Sequence, residues 1–313
     1  MSPRYVLVGL GAELSLRPLA AALRRRGAPV SVVDLAESPA DASVIPAGDG
    51  PLVLVTSQHL AMTGPVYDAH THLSSHYASP QVLRRRLGAD LLVYVPHDLS
   101  ESVLPGEVEL LRTVDLYVAP DDDAWWAAAH VPTVVAGWVG TAWWDEAAIA
   151  EAPLSRGVLF VTQVQWLEMM GGGPYLLNAL AQTLASGVAA KLPVWPGLEP
   201  LAEALADAGV PLIDPHLPAA AIARNTPLVV TNGPSSVLAE AAQAGHRPVC
   251  VLPVDADRDF AGQFGALDVA LCRDSEFGEV RRTAGVVRPA GPRFDLTVFV
   301  DAVEDALRWG RDD

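Results

Sequence analysis

The sequence is poor in cysteine, poorer still in lysine, and has no long apolar run. Two cysteines, Cys250 and Cys272, occur in 313 residues, too few for a disulfide framework. Each sits in an apolar, strand-like stretch, RPVCVLP and DVALCRD. Two buried thiols fit that setting, and a disulfide or metal pair is the alternative. A single lysine, Lys191, leaves the positive charge to arginine, and the formal net charge is −16 at pH 7. A field of that sign repels phosphate backbones, so no nucleic acid partner is expected. The dense basic runs, Arg24 to Arg26 and Arg84 to Arg86, fall in helical patterns and read as solvated faces. No apolar stretch approaches the ~20 residues that cross a bilayer, so no transmembrane segment is expected. The start, MSPRYVLVGLG, leads directly into a strand-like segment without the layout of a secretory signal. The expected location is cytoplasmic.

What is present is abundant material for two cores. Half of the residues are hydrophobic, and the length exceeds what one core usually serves. Short Val/Leu runs alternate with Ala/Leu/Arg helical patterns, the signature of parallel sheets built from βαβ units. The first half reads as strands at 5–8, 30–33, 52–55, 91–95, 116–118 and 133–136, with helices at 16–26, 81–87 and 124–129. The segment 137–153 breaks the rhythm. A second set follows, with strands at 158–161, 194–195, 212–213, 228–231, 249–252 and 269–272. Its helices fall at 174–185, 200–208, 219–224, 236–244 and 296–308. The expected fold is α/β, with two Rossmann-like parallel-sheet domains facing across a cleft. Their expected bounds are 1–140 and 156–313, with a hinge at 141–155 and a last helix available to pack back on the first domain.

Ligands bind such sheets beyond the carboxyl ends of the strands, which selects the stretch PLVVTNGPSSVLAEAAQAGHRPVCVLP at 227–253. It reads strand, polar loop, helix, glycine stop, strand. In the loop, Thr231, Asn232, Gly233, Pro234, Ser235 and Ser236 combine close backbone approach with hydroxyls at a helix start, a setting for a diphosphate. Glu240, one turn on, is placed to accept bonds from ribose hydroxyls, and Gly245 ends the helix.

This stretch resembles the C-terminal signature of GT-B glycosyltransferases, especially the MurG-like branch with the lipid II-forming N-acetylglucosaminyltransferase. The resemblance covers roughly residues 155–270. It implies that Glu240 is the ribose-binding residue and that 233–236 is the phosphate loop. DADRDFAGQ at 255–263 is similar to the family's sugar-contacting stretch, making Asp257, Asp259 and Gln263 candidates, although the usual Asp-Gln or Gln-Gln pair is absent. Gly171 to Gly173 resemble the turn that opens the family's C-terminal domain, so Gly172 and Gly173 join the donor side. DPHL at 214–217 falls at the base-contacting loop, with His216 placed to pack on the nucleobase.

The opening VGLGAELSLRPLAAALRRRG also resembles the first strand, glycine loop (Gly11) and helix of that family. Where many members carry a loop histidine as general base, alignment puts Ala12, with Glu13 beside it. Glu13 is one candidate base, since a partly desolvated carboxylate has a raised pKa; a helix-start acid complementing the dipole is the other reading. His97 and Asp98 after one strand, and His59 after another, are further candidates at strand ends, because histidine titrates near neutrality. DAHTHLSSH at 68–76 resembles an amidohydrolase metal motif, but Gly and Pro precede it where a strand is required, and the rest of that family's pattern is not found. His72 is read instead as lining the acceptor side. Gly9-Leu10-Gly11 with Asp34 suggests a dinucleotide fingerprint, yet Leu14 stands at the third glycine.

The resemblance implies a metal-independent, inverting transfer of a sugar from a nucleoside-diphosphate sugar to an acceptor hydroxyl. No metal and no cofactor beyond that co-substrate are expected, and the acceptor is open. A GT-B sugar-nucleotide epimerase or hydrolase, a non-catalytic GT-B binding subunit and an NAD enzyme are the alternatives.

Overall fold

Runs of β-branched and aliphatic residues buried on both faces form the central strands. The computed structural model describes residues 2–9, 16–34, 41–56, 80–96, 113–120, 130–142, 156–162, 171–194, 197–233, 235–252, 268–286 and 294–309. They divide into two units, one from residues up to 142 together with 294–309, the other from 156 to 286.

In the first unit β1 (Arg4–Gly9), α1 (Arg17–Arg25), β2 (Val30–Asp34), β3 (Leu52–Thr56), α2 (Pro80–Leu87), β4 (Leu91–Tyr94), β5 (Leu116–Ala119) and β6 (Thr133–Val135) follow in order. All six strands are parallel, arranged β2-β1-β3-β4-β5-β6. Every residue of β3, β4 and β5 is buried, as befits a parallel sheet covered on both faces. Helix α1 starts with proline in its first turn, buries Leu19, Ala20, Ala22 and Leu23, and carries Arg24 and Arg25 in its last turn, where cations complement the dipole. The second basic run departs from the solvated-face reading at Arg84. Its guanidinium pairs with Asp115 at 3.0 Å and donates to the carbonyls of Ala89 and Asp90. Asp90 and Asp115 in turn accept the N–H groups of Leu52 and Leu92, each at 2.7 Å, which satisfies main-chain donors at two strand starts.

The second unit contains β7 (Val158–Phe160), α3 (Gly173–Ala179), α4 (Ala181–Ala185), β8 (Ala189–Lys191), α5 (Glu199–Asp207), β9 (Leu212–Ile213), α6 (Ala219–Asn225), β10 (Val229–Thr231), α7 (Val237–Gln243), β11 (His246–Arg247), β12 (Val249–Val251), β13 (Ala270–Cys272), α8 (Phe277–Val280) and β14 (Gly285–Val286). Six strands run parallel in the order β13-β12-β10-β7-β8-β9, and β11 pairs antiparallel with β14. The last helix, α9 (Leu296–Trp309), belongs to the first unit, where the Asp295 N–H donates to Ala136 and Arg26 donates to the Thr297 hydroxyl at 2.5 Å.

Three sequence expectations change here. The strand expected at 194–195 lies earlier, at β8; Val194 is exposed and Pro193, lacking an N–H, cannot extend the ladder. The ladder accepts Ala189 and Ala190 despite their weak strand preference because β7 and β9 flank them on both sides. The single helix expected over 174–185 is two, broken at Leu180 (φ −120°, ψ 27°). The start of α4 is capped from far along the chain, since the Asp274 carboxylate accepts the N–H groups of Gln182 and Thr183 and the Thr183 hydroxyl. The β11–β14 pair and α8 were not anticipated. Both cysteines are free and buried, and burial pushes the Cys250 thiol up to about 11.

His246 is also buried, at 4% exposure, and its Nδ1 has no hydrogen-bond partner. Burial holds its pKa below the ordinary value, opposed by a hydrogen bond to the Ala223 backbone. The unfolded chain therefore binds this proton first, so the stability tied to His246 is present above about pH 6.5 and falls as the pH drops below it. The melting temperature of the wild type is expected to decline more steeply between pH 7 and pH 5 than that of His246→Gln. Parallel slopes in a pH series of thermal melts would overturn this.

Candidate functional site

Strands β7 and β10 are neighbours, but the chain leaves them in opposite directions, through β8 to β9 from one and through β12 to β13 from the other. The connections beyond their carboxyl ends must separate, and such a switch point is where open α/β sheets take ligands. The 231–236 stretch follows β10 at this place.

Local hydrogen bonds define its floor. The main-chain N–H and the hydroxyl of Thr162, just past β7, both donate to Asn232 Oδ1, at 2.5 and 2.9 Å. Asn232 thereby bridges the two diverging strands. Thr231, Asn232 and Gly233 are all buried, and the Thr231 hydroxyl lies beside the Cys250 thiol. Asn232 thus braces the loop from beneath, whereas the Thr231 hydroxyl is buried with no hydrogen-bond partner among the described residues. Ser235 and Ser236 are half-buried above them, and the Ser235 hydroxyl accepts the Val237 N–H at 3.3 Å. Glu240, half-buried in the first turn of α7, completes the described part of the loop and helix. Gly245 ends that helix at φ 92°, with its N–H on the Ala242 carbonyl, the left-handed stop that glycine accepts without strain.

His216 is exposed on the loop after β9, its N–H held by the Asp214 carboxylate at 2.9 Å. The two glycines of the opening turn differ. A Cβ on Gly172 would meet nothing within 4 Å, whereas one on Gly173 would stand 2.8 Å from the Ala204 Cβ in α5. Helix packing therefore accounts for Gly173. Gly11, Glu13, His59, His72, His97, Asp98, Pro234, Asp257, Asp259 and Gln263 lie outside the described residues.

One residue that sequence reasoning passed over enters the site. Lys191 closes β8, and its Nζ donates to the Pro215 carbonyl at 2.9 Å, next to His216. Burial holds its pKa down at about 8, while the Glu240 and Asp214 carboxylates act in the opposite direction. The available signal was a lone lysine in the middle of an apolar, strand-length run, VAAKLPV.

A cavity of about 400 Å³ opens at the other edge of this sheet, lined by Arg156, Ser186, Leu228 and Arg281. Arg156 and Leu228 precede β7 and β10, so it sits at strand starts, away from the switch point. Among the described residues no group of three His, Cys, Asp or Glu side chains is placed to hold a metal ion. No described helix is long and apolar enough to cross a membrane.

No protein-family model matches the chain, and no curated protein matches it. Solved structures do. MnaA from S. aureus, solved with UDP, superimposes with a TM-score of 0.58 at 14% identity, covering 98% of this chain and 97% of that one. HepE from Anabaena, in complex with UDP, gives 0.49 at 16% identity over 99% and 100% of the two chains. The glycosyltransferase SnogD from Streptomyces nogalater gives 0.46 at 15% identity over 99% and 95%. At these identities the likeness to MnaA speaks for architecture alone, and with the two six-stranded parallel sheets it identifies the fold of this chain as GT-B.

Proposed function

We propose that the chain is a metal-independent, inverting glycosyltransferase that takes a sugar from a nucleoside-diphosphate sugar to an acceptor hydroxyl. The observation that carries this is the placement of the 231–236 loop and Glu240 at the switch point between β7 and β10. A half-buried carboxylate one turn beyond a Gly/Ser loop suits a ribose whose diphosphate rests on that loop. The UDP in the MnaA structure, on a chain of the same fold, supports a nucleotide as the ligand of this chain.

In this reading main-chain N–H groups and hydroxyls at 233–236 bind the diphosphate and stabilise its charge as it leaves. Glu240 holds the ribose and His216 packs on the base. The proton of the acceptor hydroxyl passes to a carboxylate or imidazole, with Glu13 and His97 as candidates. Exclusion of water from the loaded site favours transfer over hydrolysis.

Thermal melts with UDP, GDP, dTDP, CDP, ADP, NAD and NADP test it. A ligand at about tenfold its Kd stabilises the native state by about 1.4 kcal/mol, a rise of roughly 3–5 °C for a unit of this size. One nucleoside diphosphate is expected to raise the wild-type melting temperature by that amount and to leave Glu240→Ala unmoved. A response to NAD alone, or to none of the seven, would sink the proposal.

A further inference from the structure

The only lysine of the chain occupies a place that disfavours charge. Lys191 is 8% exposed and lies in the ladder between Phe160 of β7 and Ile213 of β9. A buried ammonium is costly unless hydrogen-bonded and matched by opposite charge, and an apolar side chain of similar volume is often at least as stable there. What the ammonium supplies is linkage between separate elements. It grips the Pro215 carbonyl at 2.9 Å, and the same loop carries Asp214, whose carboxylate holds the N–H of His216 at 2.9 Å. It also interacts with the Glu240 carboxylate on α7. The cation thus ties down the loop after β9 by a hydrogen bond and is drawn electrostatically toward Glu240 on the helix after β10.

Resting on the nucleotide-site reading above, we propose that Lys191 is a positioning residue for the nucleoside end of that site, fixing the 214–217 loop relative to Glu240 so that base and ribose are held together. Among the described residues of the 233–236 loop none takes a hydrogen bond from it, so its contribution is assigned to the nucleoside and not to the diphosphate. Two coupled contacts on one ligand then depend on a group that touches neither base nor sugar.

Lys191→Met keeps most of the buried stem and removes the charge. Relative to wild type it is expected to bind the best-stabilising nucleoside diphosphate of the five roughly 10-fold more weakly or worse, the scale of one charged hydrogen bond. Inorganic pyrophosphate affinity is expected to stay within twofold, and Lys191→Arg to recover part of the loss. Because there is one lysine, ¹³Cε-lysine labelling gives a single side-chain ε-CH₂ resonance. Its titration midpoint in the wild type is expected near pH 8, lower in Glu240→Gln and higher with the nucleoside diphosphate bound. That readout does not depend on the methionine variant folding. Equal affinity of Lys191→Met and wild type, an equal loss for pyrophosphate, or a midpoint unmoved by both Glu240→Gln and nucleotide would overturn the proposal while leaving the nucleotide site standing. Failure of the wild type to bind any nucleoside diphosphate would remove the nucleotide site, and this proposal with it.

Discussion

Phe299→Ala is expected to lower the stability of the first unit by about 3–5 kcal/mol, the range for emptying a buried aromatic position. Phe299 is fully buried in α9, together with Val303, and its ring lies 6.4 Å from Tyr5 of β1 and 5.7 Å from Phe294. Tyr5 is itself buried, at 1% exposure, and burial pushes its pKa up to about 12, with Glu304 adding to the shift. Removing the Phe299 ring leaves a cavity lined by groups anchored in a parallel sheet, where collapse is limited and the cavity cost is retained. At 2–4 °C per kcal/mol the unfolding transition of this unit should fall by roughly 10 °C. Asp301→Ala, on the exposed side of the same helix, should move it by a degree or two at most. Calorimetry on the two variants decides. A shift for Phe299→Ala no larger than that for Asp301→Ala would mean that α9 contributes little to the first core.

Gly157→Val is expected to damage the second unit comparably, through the backbone instead of a cavity. Gly157 is buried immediately before β7 at φ 139°, a conformation that side-chain-bearing residues rarely adopt and β-branched ones least of all. A Cβ there would stand 2.9 Å from the Leu228 Cβ and 3.0 Å from the Leu228 carbonyl oxygen. That carbonyl cannot move away freely, because it accepts the Val158 N–H at 2.9 Å, while the Gly157 carbonyl accepts the Ala189 N–H at 3.0 Å. Backbone strain and overpacking together cost about 4 kcal/mol, again roughly 10 °C. Gly157→Val/Leu228→Ala should recover little of this, since alanine keeps the Cβ at 2.9 Å and removes only the Cδ2 contact at 3.3 Å, leaving the strained φ and the carbonyl contact. Melting at the wild-type temperature by Gly157→Val would show that the approach to Leu228 relaxes without cost.

The alternation of apolar runs with amphipathic segments made the α/β class legible, because parallel strands buried on both faces have few other ways to be composed. Helices α1, α5, α6, α7 and α9 were found within a residue or so of their ends, marked by Pro18 and Pro200 in first turns and by Gly245 after a last turn. Strand β8 was misplaced because Ala-Ala-Lys has no strand signal of its own and Val-Trp two residues on does. The break at Leu180 was missed because its compensation, the Asp274 carboxylate, lies about ninety residues away.

By itself the sequence determined two parallel α/β sheets and the stretch after β10 as the place to look for an anion, since both follow from local periodicity and turn chemistry. Only the tertiary structure decided that the 231–236 loop follows a strand at a switch point, because sheet order depends on which strands pair and not on their composition. The same holds for side chains within the loop. Thr231 and Asn232 look alike available in sequence, yet both are buried, with Asn232 bridging to Thr162 beyond β7, and the lone Lys191 reaches the Pro215 carbonyl and the Asp214 and Glu240 charges only when strands far apart in the chain lie side by side.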